Sequence, residues 1–132
     1  MADVSVRIEQ IAQRPLVMID GQATLRQAAQ LLSEESIGVA ILRGGHPPVL
    51  ISERDIVRAI AEGIDPDDDT VESVATYDVA TASPLDTVED VARIMLDNEV
   101  RHVPLVADGA IVGVASTRDV LTVLLAPTGG LP

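Results

Sequence analysis

An internal repeat constrains this chain more than any other feature. Thr24-Leu25-Arg26-Gln27-Ala28-Ala29-Gln30-Leu31-Leu32 is echoed by Thr87-Val88-Glu89-Asp90-Val91-Ala92-Arg93-Ile94-Met95. Each run opens on Thr and then sets apolar residues at i, i+3, i+4 and i+7, the stripe of a half-buried helix. Thr24 with Gln27, and Thr87 with Asp90, read as N-cap pairs. Further on, Ser52-Glu53-Arg54-Asp55-Ile56-Val57 matches Ser116-Thr117-Arg118-Asp119-Val120-Leu121. The offset is 63 residues from Thr24 to Thr87 and 64 from Arg54 to Arg118. A period that long, present twice in 132 residues, is a duplicated unit rather than a solenoid of short repeats.

The first copy reads as strand 16–19, helix 24–35, strand 39–42, strand 49–51 and helix 52–62. The second reads as strand 78–82, helix 87–98, strand 102–106, strand 111–115 and helix 116–125. The strands are short Val- and Ile-rich runs bounded by turn residues, such as Gly44-Gly45-His46-Pro47-Pro48 and Ala107-Asp108-Gly109. Short helical stretches, around 4–12 and 71–75, precede each copy. The fold class is therefore α/β (α+β): two β-α-β-β-α repeats, expected to pack sheet to sheet about a pseudo-twofold axis. The expected divisions are 1–64 for the first repeat, 65–70 for an acidic linker, 71–125 for the second repeat and 126–132 for a loose tail. The linker lacks the turn Gly and terminal Glu of a calcium loop.

Composition narrows the function. Apolar residues make up 47% of the chain, enough for a core, and Tyr77 is its single aromatic residue. Platforms that stack nucleobases on aromatic rings are therefore excluded. Twenty-one Asp and Glu face nine Arg and no Lys, for a net charge of −12. Such a surface repels nucleic acid and anionic membranes. Without Lys there is no P-loop lysine and no Schiff base. Without Cys there is no disulfide, thiolate zinc site or thiol nucleophile. The N-terminus has no basic stretch followed by an apolar run, and a cytoplasmic protein is expected. No nucleophile–base pair points to an enzyme, and no His spacing points to a metal.

The paired units, with Gly113-Val114-Ala115-Ser116-Thr117-Arg118-Asp119 in the second, resemble the tandem cystathionine-β-synthase-type (CBS) domain pair, or Bateman module. The resemblance runs from about Val4 to Leu125, and Arg101-His102-Val103-Pro104-Leu105-Val106 is similar to the family's basic-x-Pro-Val-Val strand entry. It implies a regulatory module in which the Gly-x-x-Ser/Thr-x-x-Asp segment contacts the ribose and phosphate of AMP, ADP, ATP or a similar compound in a cleft between the repeats. It also implies a homodimer. No cofactor is required; the adenine nucleotide is the regulatory ligand. The first copy departs from the pattern: Val49 stands in the place of Gly113, Ile41 near that of Pro104, and Glu53 adds a negative charge.

The chemistry fits the residue types. An ionised carboxylate can accept from both hydroxyls of a ribose, which suits Asp55 and Asp119. A helix N-terminus and a neighbouring cation attract phosphate, which suits Ser52 with Arg54 and Ser116 with Arg118. Arg101 and His102 are further candidates for the phosphate in the second copy. Val17 is the expected adenine wall for the Asp119 site, and Ala80 for the Asp55 site. The same Ser-x-x-Asp spacing is also a helix cap, and Arg101 and His102 also read as a solvated pair at a strand edge. His46 reads as an exposed loop residue, and Tyr77 as packing at the start of the second copy. The alternative for the whole chain is a nucleotide-independent module for dimerisation or for docking on a protein target.

Overall fold

A computed structural model describes residues 2–126; most of the expected tail lies outside them. The contacts divide the chain into two compact units. One is the continuous stretch Leu16–Val79, called here the Asp55 unit. The other, the Asp119 unit, joins the residues up to Pro15 to those from Ala80 onward. The spatial division therefore differs from the division at 64 and 71 that follows the sequence repeat. Each helical lead-in packs on the copy that it does not precede.

The Asp55 unit runs β1 (Met18–Ile19), α1 (Leu25–Glu35), β2 (Val39–Leu42), β3 (Leu50–Ser52), α2 (Glu53–Ala61) and α3 (Val71–Val74). Its sheet has the order β1-β2-β3, with β1 parallel and β3 antiparallel to the central β2. Thr24 caps α1 in a full capping box with Gln27, and Leu25, Ala28 and Leu32 turn inward. These join Ile19, Ala40, Ile51 and Ile56 in the core, which Val71 of α3 completes. The expected linker 65–70 is folded rather than free. The Asp69 and Pro66 carbonyls accept from the Leu25 and Arg26 amides, and Arg26 pairs with Asp67. These bonds serve the otherwise unpaired amides of the first turn of α1.

The Asp119 unit contains a 3-10 turn (Ile8–Gln10), then α4 (Val88–Asn98), β4 (His102–Ala107), β5 (Ala110–Ser116) and α5 (Thr117–Leu124). Thr87 and Asp90 form the capping box of α4. Val88, Val91, Met95, Val103 and Val123 make the core, which Ile8 closes as Val71 does in the other unit. The equivalence extends to the backbone. Val71 donates to Ala23 and Ile8 to Asp86, each at 2.8 Å.

The strand expected at 78–82 is a correction. Asp78 is left-handed (φ 56°), and pairing is reduced to one parallel bridge between Ala82 and Leu105. The reason is Pro104. In the Asp55 unit Ile41 donates its N–H to the Val17 carbonyl at 2.9 Å. Pro104, at the equivalent place, has no N–H to give to Ala80. Tyr77 is a second correction: it belongs to the Asp55 unit, is half exposed, and donates its hydroxyl to the Glu72 carbonyl at 2.7 Å.

Candidate functional site

Both Ser-x-x-Asp segments lie where a strand runs straight into a helix. Ser52 and Ser116 have extended backbones and cap α2 and α5. In the Asp55 unit, the Asp55 amide donates to Ser52 Oγ at 3.2 Å. Asp55 Oδ2 in turn accepts from the Ser52 amide at 2.8 Å and its hydroxyl at 3.0 Å. In the Asp119 unit the same three bonds measure 3.2, 2.8 and 3.1 Å. The capping arrangement is thus realised in both copies, and it fixes each carboxylate at the first turn of its helix.

The second oxygen separates the two copies. Asp55 is buried, 6% exposed, and its Oδ1 accepts from the Thr76 hydroxyl at 2.7 Å. Asp119 is half buried, and none of the described residues donates to its Oδ1. Thr76 is the residue that the sequence reading missed. The signal lay in the lead-ins, where Thr70-Val71 stands 63 residues after Arg7-Ile8.

Charge separates them too. His102 pairs with Ser116 across β4 and β5, and the Arg101 carbonyl accepts from the Thr117 amide at 2.9 Å and its hydroxyl at 3.2 Å. Arg101, His102, Ser116 and Asp119 are therefore brought together at one helix N-terminus, with Arg118 exposed on its first turn. At the same places in the Asp55 unit, Val39 pairs with Ser52, and the Gly38 carbonyl accepts from the Glu53 amide. There the first turn carries Glu53 as well as Asp55, with Arg54 between them in sequence.

Val17 is half buried in the Asp55 unit, and Ala80 is half buried in the Asp119 unit. Each thus belongs to the unit opposite the carboxylate it was assigned to serve. His46 is exposed, as expected. Among the described residues no helix is long and apolar enough to cross a membrane.

The sequence pattern of the CBS domain matches the chain twice, over residues 8–62 and 71–126. The chain belongs to the CBS-domain family. Among CBS-domain structures, one from Pyrobaculum aerophilum, complexed with AMP, is 34% identical, with a TM-score of 0.77. The match covers 86% of this chain and 89% of that one. An uncharacterized 17.7 kDa protein of Acidianus ambivalens is 30% identical over 92% of this chain and 75% of its own length. An uncharacterized protein of Methanocaldococcus jannaschii is 27% identical over 94% of this chain, which spans 45% of that protein's length. The tandem CBS pair that the repeats resembled is the family and the fold found.

Proposed function

We propose that this chain is a regulatory module that binds an adenosine-containing ligand of the AMP, ADP or ATP type, with the Asp119 unit as its principal site. One observation carries the reading. The N-terminus of α5 holds a fixed carboxylate with one oxygen to which no described residue donates, beside the Arg101 backbone and with Arg118 on its first turn. The spare oxygen suits a ribose hydroxyl, and Arg118 with the helix dipole suits a phosphate. Gly113 adds to it. A Cβ there would meet only ordinary contacts, 3.5 Å from Leu105 and 3.8 Å from the Ala12 carbonyl. Packing within the unit does not itself demand glycine there. The AMP complex of the Pyrobaculum relative supports the ligand class.

Titration calorimetry with AMP tests it. Binding is expected, and Asp119→Ala should weaken it by at least ~10-fold, the scale of one charge-assisted hydrogen bond. Silence at millimolar AMP overturns the reading.

A second reading draws on the helix faces. Val57 and Ile60 of α2, and Leu121 and Leu124 of α5, are exposed apolar side chains. Such surface suits contact with a second copy of the chain or with a protein target. Light scattering with and without AMP separates the two: a dimer indifferent to nucleotide, from a chain that binds none, favours the second reading alone.

A further inference from the structure

We infer that the chain closes its own Asp55 site, with Thr76 as the residue that limits it to one nucleotide. This rests on the reading that the Ser-x-x-Asp carboxylates receive ribose hydroxyls. Thr76 Oγ1 already makes the bond to Asp55 Oδ1 that such a hydroxyl would make, at 2.7 Å. It is held there from both sides. The Leu50 amide donates to the Thr76 carbonyl at 3.1 Å, and the Thr76 amide donates to the Leu50 carbonyl at 2.7 Å. A β-branched side chain on a pinned backbone has few rotamers left to lose. An intramolecular hydroxyl of this kind faces its acceptor at a high effective concentration, which a dissolved ligand must overcome.

The surroundings act in the same direction. Ser52 takes up Oδ2, so Asp55 has three bonds to its own chain and little exposed surface. Glu53 sits on the same first turn and repels a phosphate. At the equivalent place in the Asp119 unit stands Gln13, whose amide donates to the Ile11 carbonyl. None of the described residues occupies Asp119 Oδ1. Asp55 therefore acts as a latch for residues 71–79, while Asp119 is left for the ligand.

The test titrates AMP into the wild type, Thr76→Ala, Thr76→Ser and the double variant Thr76→Ala/Asp55→Ala, each shown folded by its thermal melt. The wild type should bind one AMP per chain, Thr76→Ala two, Thr76→Ser one and the double variant one. In amide spectra of the wild type, AMP should shift residues 116–119 and leave 52–55 in place. Because Thr76 is exposed, Ala is tolerated there; Thr76→Val keeps the shape and loses only the hydroxyl, as a second probe. One AMP bound by Thr76→Ala and Thr76→Val alike, or two by the wild type, overturns the inference and leaves the functional reading standing. No binding by any variant overturns both.

Discussion

The Asp55 unit and the Asp119 unit share a capped helix at nearly the same bond lengths, yet each uses its carboxylate differently. In the first, the carboxylate is buried and ties α2 to the chain beyond it. In the second, it is half buried and holds only its own cap, on a helix whose first turn carries Arg118. The contrast arises at a few positions: Thr76 against Gln13, Gly38 and Val39 against Arg101 and His102, and Glu53 against Thr117. A local motif defines where a carboxylate sits. Residues remote in sequence decide whether it serves the fold or faces outward.

The largest effect should come from exchanging the strands' chemistry. Ile41→Pro removes the amide that pairs β2 with Val17, in a central strand, and should cost about 3 kcal/mol or more in urea denaturation. A loss below about 1 kcal/mol would mean that β1 contributes little. Next, Asp55→Ala should cost about 3 kcal/mol, and Asp119→Ala about 1 kcal/mol, since the first also loses the bond between Thr76 and a buried carboxylate. Equal losses would erase the distinction between the units.

A smaller effect is expected from Pro104→Val. It restores an N–H facing Ala80, so the amide of residue 104 should become protected from hydrogen exchange, with stability changed by no more than about 1 kcal/mol. Free exchange at that amide would refute the account of the missing strand. The smallest effect concerns acid. Asp90 caps α4, and the Thr87 amide, then its hydroxyl, hold its carboxyl below the usual range. Gln27, in the same place on α1, does not titrate. The capping stabilisation is present above the ordinary carboxylate value and is lost as pH falls through that range towards the lowered one. Hydrogen exchange followed from pH 6 to 3 should show fraying at 87–90 but not at 24–27, and Asp90→Asn should remove the difference.

Much of this was legible in the sequence because much of it is local. The Thr-led helices show their apolar stripe and their cap within a dozen residues, and both formed as expected. The Ser-x-x-Asp caps were legible for the same reason. The strand at 78–82 was misread because its apolar run says nothing of its partner's missing amide at Pro104. The difference between Asp55 and Asp119 was only half visible. Glu53 and Arg101 marked it by charge, but the Thr76 bond spans 21 residues, and no periodicity reports such a pairing. The exchange of lead-ins was hidden in the same way, since Ile8 and Val71 look alike in sequence and only their neighbours differ.

That exchange nests one unit within the other and so gives the two halves different histories during synthesis. The Asp55 unit is an unbroken run, complete once Val79 has left the ribosome. The residues up to Pro15 are made before the Asp55 unit but find their partners after it, because Ile8 must wait for Val88, Val103 and Val123 to arrive. A lesion in that stretch is thus felt in the unit whose remaining residues are made after Val79.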